Sequence, residues 1–429
     1  MSKPLRIAIA GLGTVGAGVV QILQTHKDLL TARTGRDLVI VAVSAQSRSK
    51  DRGVDLSGYA WADDPVAMAR RDDFDLFVEA IGGEDGPAKA CVEAALAAGK
   101  HVVTANKALM ARHGQALAEL AEDKGVALRF EAAVAGGIPI VKALTEGLAA
   151  NEITRVMGVM NGTCNYILTK MEDTGASYDQ VLAEAQRLGY AEADPAFDVG
   201  GIDAAQKLAL LAATAFGTQV DFDAMKIEGI ERVNLTDIQH AREMGYSIKL
   251  LGVARKAADG IETRMQPCLV PADSPLGQLE DVINMVVVEG DFIGQTVYQG
   301  PGAGAGPTAS AIMGDVIDVA RGLLIPAFGV PARNLKPSGG KPAEGAAAEY
   351  YLRLDLADKP GTLAQVTDAL GKAGISINRM RQIDHEGETA PVLIVTHACK
   401  RHDLDVALAV LEKLDACLDT PIAYRIEKV

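Results

Sequence analysis

Ionisable side chains are concentrated in one segment of the chain, which ends at Lys207. Its charged members are Glu192, Asp194, Asp198, Asp203 and Lys207. Asp203 and Lys207 are four residues apart, so on a helix they share one face. An exposed ion pair is the simplest interpretation, but apolar neighbours such as Leu208 indicate a mostly buried helix, where acids and lysines are rare unless paired or functional. Carboxylates suit an ammonium ligand, and a lysine suits proton delivery to a carbonyl oxygen during hydride addition.

A glycine-rich turn near the N-terminus predicts a dinucleotide site. The motif consists of Gly11, Leu12, Gly13, Thr14, Val15 and Gly16. It follows a short apolar run and precedes apolar residues at helical spacing, which is the context that the dinucleotide fingerprint requires. The glycines permit a tight turn and a close approach of phosphate, while the helix N-terminus attracts the pyrophosphate. The alternative is a glycine turn that binds no ligand.

The residues after the second predicted strand bear on which dinucleotide binds. A strand that reads the ribose 2′-hydroxyl ends in Asp or Glu, but no acid stands at 44–47. Arg48, Lys50 and Arg52 follow, and a cation at this place suits the 2′-phosphate of NADP. An ordinary solvated basic loop is the alternative. The pattern therefore favours NADP and leaves NAD open.

Two further positions lie where predicted strands end, which is the edge at which doubly wound sheets bind ligands. Lys107 follows the fourth strand, and we expect it to point towards cofactor or substrate. Gly82 follows the third strand, where small residues leave room for a nicotinamide.

Glu131 begins a segment with the composition of a cation site. If this segment is extended, the carbonyl oxygens of Val134, Gly136 and Ile138 point to one side. Together with the Glu131 carboxylate they would offer a hard cation oxygen ligands alone. A plain loop that carries one acid is the alternative.

Cys164 is a candidate thiol nucleophile, which would need a histidine base nearby. His240 is the only histidine between residues 136 and 335. A buried cysteine without a nucleophilic role is therefore the favoured interpretation.

Hydrophobic periodicity predicts the elements that position these residues. Strands are expected at 5–10, 38–44, 74–80, 100–104 and 126–131, with helices at about 15–30, at 86–98 and at 107–124. Strands that alternate with helices indicate an α/β domain over residues 1–135, with a Rossmann-type, doubly wound parallel sheet.

The rest of the chain predicts two further domains. Residues 136–335 indicate a mixed α+β domain, and its last helix, 308–324, is expected to pack back on the first domain. Its other predicted elements are a strand at 153–161, helices at 178–188 and 203–217, and short strands between 248 and 300. A linker rich in Pro, Gly and Ala is predicted at 336–348. Residues 349–429 show the order βαββαβ, which is ferredoxin-like.

Composition excludes several classes of protein. The 429 residues suffice for about three domains. A net charge of −14 argues against a nucleic-acid partner. No apolar run is long enough for a membrane span or a signal peptide, and five scattered cysteines without a CxxC pair favour a reducing compartment. We therefore expect a cytoplasmic protein.

Six motifs, in order along nearly the whole chain, resemble bacterial homoserine dehydrogenases. They are GLGTVG at 11–16, TANK at 104–107, EAAVAGGIP at 131–139, NGTCNYIL at 161–168, GYAEADPAFDVGGIDAAQKL at 189–208 and GPGAGAGPTASAIMGDV at 300–316. The segment DKPGTLAQVTDALGKAGISI at 358–377 resembles an ACT domain, a small module of enzymes that amino acids regulate.

The resemblance implies NAD(P)H-dependent reduction of L-aspartate 4-semialdehyde to L-homoserine, in the synthesis of threonine, methionine and isoleucine. It implies that residues 136–335 form a catalytic and dimerisation domain in a homodimer or homotetramer, and that threonine is the effector of the ACT domain. By the same resemblance Lys207 is the proton donor, assisted by Lys107 and Asp203. Substrate contacts are implied at Glu192, Asp198, Asp203, Lys107, Thr163 and Tyr190. Cofactor contacts beyond the glycine turn, Arg48 and Gly82 are implied at Lys107, Gly189, Glu192 and Gly304. A sodium site is implied at Glu131, Val134, Gly136 and Ile138.

Two other functions are compatible with parts of the pattern. An aspartate-semialdehyde dehydrogenase would share the substrate and the Rossmann-type domain, but it would use Cys164 as its nucleophile. A non-catalytic amino-acid sensor would use only the C-terminal module, and the presence of Lys107, Asp203 and Lys207 argues against it.

Overall fold

The computed structural model describes residues 3–257, 260–337, 345–383 and 387–429. Two β-sheets organise them: a parallel sheet of six strands near the N-terminus and a mixed sheet of ten strands that covers the rest of the chain. The predicted fold class is confirmed, since a Rossmann-type domain, a mixed α+β domain and a ferredoxin-like domain follow one another along the chain.

The parallel sheet has the strand order β3-β2-β1-β4-β5-β6, with helices on both faces. Its elements are β1 (Leu5–Ala10), α1 (Thr14–Thr25), α2 (Lys27–Thr34), β2 (Leu38–Ser44), β3 (Ala60–Ala62), α3 (Pro65–Ala69), β4 (Leu76–Glu79), α4 (Pro87–Ala97), β5 (His101–Thr104), α5 (Lys107–Lys124) and β6 (Leu128–Arg129). Chain order reverses between β1 and β4, and the carboxyl ends of these strands form the crevice where such sheets bind ligands.

Local details of this region differ from the sequence prediction. The helix expected at about 15–30 is two helices, because His26 leaves the helical conformation with φ −109° and ψ 26°. The strand expected at 126–131 contains only Leu128 and Arg129, and Glu131 already belongs to a 3₁₀ turn. β3 was not predicted, since a strand of three residues has too few positions to show periodicity.

The middle of the chain supplies six strands of the mixed sheet. Its elements are a 3₁₀ turn (Glu131–Ala133), α6 (Ile140–Lys142) followed by a π-helical turn (Ala143–Gly147), β7 (Ile153–Val159), α7 (Gly162–Thr174), α8 (Tyr178–Leu188), α9 (Ala196–Val199), α10 (Ile202–Phe216), β8 (Lys226–Ile227), α11 (Leu235–Glu243), β9 (Tyr246–Ala257), β10 (Gly260–Pro271), β11 (Ile283–Gly290), β12 (Gly294–Pro301), α12 (Ala305–Ala320) and a second 3₁₀ turn (Ala332–Asn334). The sequence predicts short strands between 248 and 300. The structure instead has long antiparallel strands between 246 and 301.

α12 returns to the first domain and packs along α1. The contact is close, since a Cβ built on Gly18 would lie 3.0 Å from the Cβ of Ala309. Small residues on both helices allow this approach. The helix that was expected at 308–324 begins three residues earlier and ends at Ala320.

The C-terminal region contains β13 (Tyr350–Ala357), α13 (Thr362–Lys372), β14 (Ile377–Gln382), β15 (Thr389–Thr396), α14 (Arg401–Leu411) and β16 (Ile422–Ile426). Their strand order, β16-β13-β15-β14, is that of a ferredoxin-like unit. β16 also pairs in parallel with β10, so the C-terminal sheet continues the sheet of the middle region. The linker predicted at 336–348 lies partly outside the described residues, which omit 338–344.

A buried ionic network fastens the C-terminal region to the middle region. Arg264 on β10 donates to Glu427, just after β16, at 2.5 Å and also contacts Glu262. Although burial opposes it, the charge of Arg264 lowers the pKa of the Glu427 carboxyl. Removal of one partner from such a pair leaves a buried charge uncompensated.

Within the described residues, no helix is both long and apolar enough to cross a membrane.

Candidate active site

Helix α10 carries the acid and the lysine that the sequence placed on one face. Gly201, at φ +81°, precedes the helix and allows the chain to turn into it. The side chains of Asp203 and Lys207 are only 10% and 11% exposed, and Lys207 Nζ lies 2.7 Å from Asp203 Oδ2. The pair is therefore buried and is not the exposed ion pair of the simplest interpretation.

One hydrogen of the Lys207 ammonium is available to a ligand. Besides Asp203, its ammonium donates to the carbonyl oxygen of Met160 at 2.8 Å. An ammonium has three hydrogens, so these two bonds leave one without an acceptor among the described residues.

Lys107 approaches the same carboxylate from the first domain. Its Nζ lies 3.1 Å from Asp203 Oδ1 and 5.8 Å from the ring centroid of Phe197. Lys107 is the first residue of α5, which Asn106 caps by accepting a hydrogen bond from the Leu109 amide. The cap therefore fixes the lysine at the carboxyl end of β5.

Asp203 is held as an anion. Burial alone would raise the pKa of its carboxyl, but the charges of Lys207 and Lys107 outweigh burial and lower the pKa below its ordinary value. Asn161 adds a hydrogen bond to Asp203 at 2.9 Å.

Asn161 also holds the second acid of the site. Its amide donates to Asp198 Oδ1 at 2.8 Å, and its own oxygen caps α7 by accepting the amide hydrogen of Cys164. The pKa of Asp198 is raised, first by burial and then by repulsion from Asp203. Asn161 thus donates to both carboxylates, which repel each other, and holds them apart.

Two cavities meet at Asp203 and Lys207. The first, which we call the strand-edge cavity, has a volume of about 290 Å³ and opens at the carboxyl ends of β1, β4 and β5. Its lining includes Val15, Glu79, Gly82, Lys107 and Thr308. The second, which we call the carboxylate cavity, has a volume of about 430 Å³. Its lining includes Asn161, Thr163, Gly189, Tyr190, Asp198, Asn284 and Gly304.

The glycine turn has the geometry of a phosphate cradle. A Cβ on Gly11, whose φ is +92°, would lie 2.2 Å from the carbonyl oxygen of Ala80, and one on Gly16 would lie 1.9 Å from that of Gly11. A Cβ on Gly13, in contrast, would meet nothing within 4 Å. Gly11 and Gly16 are thus required by internal packing, whereas Gly13 keeps open the space that a ligand would fill.

Family models match three parts of the chain. Residues 11–131 match the NAD-binding domain of homoserine dehydrogenase, 139–317 match homoserine dehydrogenase, and 350–416 match the ACT domain. A homoserine dehydrogenase of Neisseria gonorrhoeae is 44% identical over 431 residues, with 98% of each chain covered. The chain belongs to the homoserine dehydrogenase family.

Other homoserine dehydrogenases are similar over the full length. That of Pseudomonas aeruginosa is 41% identical and covers 100% of both chains. The crystal structure of a homoserine dehydrogenase from Thiobacillus denitrificans superposes with a TM-score of 0.93 at 42% identity, over 99% of each chain. The chain is thus an NAD(P)-dependent oxidoreductase with a C-terminal ACT domain.

The predicted catalytic residues lie on the two cavities, as do the predicted substrate residues apart from Glu192. Of the glycine turn only Val15 lines a cavity, of the predicted cation ligands only Gly136 does, and Arg48 lines neither. Glu192 is exposed and lines neither cavity, and Arg48 is exposed and stacks on Trp61 at 5.9 Å. Arg52 comes closer to the glycine turn, because it donates to the carbonyl oxygen of Leu12 at 2.9 Å. The roles assigned to Glu192 and Arg48 stay predictions.

The segment after Glu131 does not have the extended conformation that we assumed. Ala135 and Gly136 have φ values of +54° and +45°, so the chain turns there. Both Glu131 carboxylate oxygens accept backbone hydrogen bonds, from Val141 and Lys142. Burial and the nearby charge of Asp315 raise the pKa of Glu131 to about 8.

Cys164 is not placed as a nucleophile. It is fully buried, and its thiol donates to the carbonyl oxygen of Asp198 at 3.2 Å. Burial, and next the charge of Asp198, raise the pKa of the thiol well above its usual value. Among the described residues no histidine lines either cavity, so the alternative function that requires an activated thiol is not favoured.

Sequence reasoning missed two buried residues that shape the site. Asn161 was quoted only as part of a motif, although an asparagine directly before a predicted helix is a recognisable N-cap signal. Glu79 accepts hydrogen bonds from the amides of Ile81 and Gly82, at 2.7 and 3.0 Å, and from the Thr104 hydroxyl. It thereby shapes the rim of the strand-edge cavity, a role that no local pattern reveals.

Gly13 and Gly16 should respond differently to the same substitution. We expect Gly13→Ala to weaken NADPH binding more than tenfold without a change in melting temperature, because the added methyl occupies ligand space. Gly16→Ala should lower the free energy of unfolding by about 1–3 kcal/mol, because the methyl collides with backbone. Fluorescence titration and thermal unfolding measure the two effects. Equal loss of stability in both variants would contradict this assignment.

Proposed function

We propose that the chain interconverts L-aspartate 4-semialdehyde and L-homoserine, with Lys207 as the proton donor to the carbonyl oxygen. The observation that carries this proposal is the spare hydrogen of the Lys207 ammonium at the junction of the two cavities. A bound nicotinamide supplies the hydride. Lys207 stabilises the negative charge that grows on the carbonyl oxygen and then protonates it. Asp203 holds the ammonium in place.

The other residues of the site position the substrate. Asp198, in the carboxylate cavity, is the acceptor for the substrate ammonium, and Asn161 keeps it at a fixed distance from Asp203. Lys107 neutralises the second oxygen of Asp203 and lines the strand-edge cavity beside it. Thr163, Tyr190, Gly189 and Gly304 complete the wall of that cavity. Oxidation of homoserine by purified protein, followed as NADPH absorbance, tests the activity.

The glycine turn and the strand-edge cavity fit a dinucleotide, and we propose that NADP is preferred over NAD. β2 ends without an acid, and Arg48 lies exposed beyond it. Arg52 is committed to Leu12 and to two further carbonyl oxygens. Arg48 is therefore the better candidate to bind a 2′-phosphate. Arg48→Ala should reduce the ratio of kcat/KM for NADPH to that for NADH, and an unchanged ratio would refute the role.

A monovalent cation is proposed at the turn after Glu131. Hydrogen bonds among the described residues leave the buried carbonyl oxygens of Val134 and Gly136 without a donor. The carbonyl of Ile138 accepts one bond, from Ile140. Two free carbonyl oxygens fit a hard cation such as sodium, whereas the engaged Glu131 carboxylate is less suited to bind it than we expected.

We propose that threonine is the effector and that it binds at the ACT domain near Asp358–Gly361 and Asn378. Gly361, with φ +91°, stands directly before α13, and no side chain among the described residues caps this helix. Asn378 is exposed on β14. Deletion of the domain is a poor test, since it would remove the pairing of β16 with β10 and leave Arg264 without Glu427.

A point substitution tests this proposal better. Asn378→Ala should abolish inhibition by threonine and leave turnover without threonine unchanged, because the side chain is exposed and distant in sequence from the catalytic residues. Steady-state rates with titrated threonine measure both. If the wild-type protein is insensitive to threonine, the ACT domain instead only joins protomers or binds another amino acid.

We also propose the three-domain division at residues 135 and 335 and a homodimer or homotetramer. β12 supports an assembly, since it is an edge strand of the mixed sheet and Phe292 beside it is 89% exposed. Light scattering determines the number of protomers.

A further inference from the structure

The carboxylate cavity has to hold both charged ends of an amino acid, if the proposed function is correct. Asp198 accepts hydrogen bonds from the substrate ammonium, and Lys207 donates to the reacting carbonyl oxygen. The α-carboxylate of the substrate needs hydrogen-bond donors as well, since a buried anion without donors is strongly unfavourable.

Few side-chain donors on this cavity are available for that carboxylate. Asn161 uses both hydrogens of its amide on Asp198 and Asp203. The Thr163 hydroxyl donates to the carbonyl oxygen of Tyr190 at 2.8 Å. Among the described residues no arginine lines the cavity. Asn284 remains.

Asn284 is a buried amide without a partner. It is 1% exposed and lines the carboxylate cavity from the start of β11. Its buried Oδ1 accepts no hydrogen bond, and its Nδ2 donates none, within the part of the chain that the structure describes. A ligand carboxylate accepts from Nδ2, whereas Oδ1 needs a ligand donor such as an ammonium. An unsatisfied buried amide costs about 1–3 kcal/mol, so its position beside a ligand cavity points to a ligand that bonds to it.

The amide also packs closely against Gly302. A Cβ built on Gly302 would lie 1.9 Å from Asn284 Nδ2, so the asparagine occupies the space that Gly302 leaves open. Gly302 itself lines both cavities. A donor that packing fixes in this way loses little conformational entropy when it binds a ligand.

We propose that Asn284 donates a hydrogen bond from Nδ2 to the α-carboxylate of the substrate and so selects amino acids over simple amino alcohols. The start of α7, at Gly162 and Thr163, lines the same cavity and adds the positive end of a helix dipole. Asn284 is a substrate-binding residue, and it takes no part in proton transfer.

Asn284→Leu tests this role, because leucine has a similar volume and no donor. We expect KM for homoserine to rise about 10- to 100-fold, as for loss of a hydrogen bond to a charged group. kcat and the Kd of NADPH should change less than threefold. Asn284→Asp should raise KM further, because its charge repels the carboxylate. A KM for either variant within threefold of wild type, with melting temperature unchanged, would overturn the proposal.

Two fragments of homoserine identify the group that Asn284 contacts. 4-Hydroxybutanoate lacks the ammonium, and 3-amino-1-propanol lacks the carboxylate. As competitive inhibitors, the first should lose affinity for Asn284→Leu by the same factor as homoserine, and the second should not. Equal losses for both would overturn the carboxylate assignment.

A matched control distinguishes this contact from general damage to the cavity. Val282 lines the same cavity without a polar side chain. Val282→Ala should affect homoserine and both fragments to a similar degree. If wild-type protein fails to oxidise homoserine, the proposed function is wrong; if it oxidises homoserine and Asn284→Leu behaves as wild type, only the role of Asn284 is wrong.

Discussion

Lys207→Met should lose turnover by about 100- to 10,000-fold, the range of a general acid, while NADPH still binds. Methionine removes the ammonium that faces the junction of the two cavities but retains much of the side-chain volume. Asp203 would keep Lys107 and Asn161 as partners, at 3.1 and 2.9 Å. The fold should therefore survive with reduced stability. Single-turnover rates and NADPH fluorescence separate the chemical step from binding.

Lys249 offers a matched control for the loss of a buried lysine. It is 2% exposed, and its ammonium donates to the carbonyl oxygen of Leu279 and to Asn165, yet it lines neither cavity. Burial lowers the pKa of Lys249 to about 8. Lys249→Met should change stability far more than the single-turnover rate. If Lys207→Met turned over substrate at a rate close to that of wild type, Lys207 would not be the proton donor.

Asp203→Asn should be the second most damaging substitution. The carboxylate is the shared counter-charge of Lys107 and Lys207, and an asparagine of the same shape leaves two ammonium groups close together without it. We expect a loss of about 3–5 kcal/mol in the free energy of unfolding, as for other broken buried pairs. Turnover should fall at least tenfold, because Lys207 loses its anchor.

The pH dependence of stability gives this variant a distinct signature. Two lysines lower the folded-state pKa of Asp203, so its contribution is complete above its unfolded-state value near 3.9 and is lost as pH falls towards the folded value. The stability difference between wild type and Asp203→Asn should thus be constant from about pH 8 to pH 5 and shrink below about pH 4. Urea unfolding across this range measures it. A difference that grows on acidification would contradict the assigned charge.

Asp194 provides the control for Asp203. It lies in the same acidic segment but is exposed, and it accepts a hydrogen bond only from the Ala196 amide, at 3.2 Å, among the described residues. Asp194→Asn should leave both stability and turnover close to those of wild type. A large loss in this variant would indicate that the segment responds to any change of charge.

Local elements were predictable because their causes are local. Strands Leu5–Ala10 and Leu38–Ser44 and helices Lys107–Lys124 and Tyr178–Leu188 occur as their periodicity predicted. Each has a clear apolar period or a capping residue, such as Ser177 before the helix at 178. The break at His26 and the three-residue strand at 60–62 escaped prediction because neither changes the hydrophobic pattern over enough residues.

Residue placement at the site was predicted unevenly for a related reason. Asp203 and Lys207 share a helix, so their spacing alone predicts that they meet. Glu192 belongs to the same segment, but it lies in an irregular stretch, is exposed and lines neither cavity. Asn284 and Gly302 come from a strand and a loop, and no spacing rule relates their side chains.

The amino-acid sequence by itself determined the fold class, the family, the dinucleotide turn and the acid–lysine helix, since each depends on neighbours in the chain. The tertiary structure determined which of those groups come into contact and which cavities they line. It brings Lys107 to a carboxylate that lies almost a hundred residues further along, joins the two cavities there and continues one sheet into the ACT domain. Such contacts arise from packing between distant elements, and packing, unlike periodicity, leaves no regular trace along the chain.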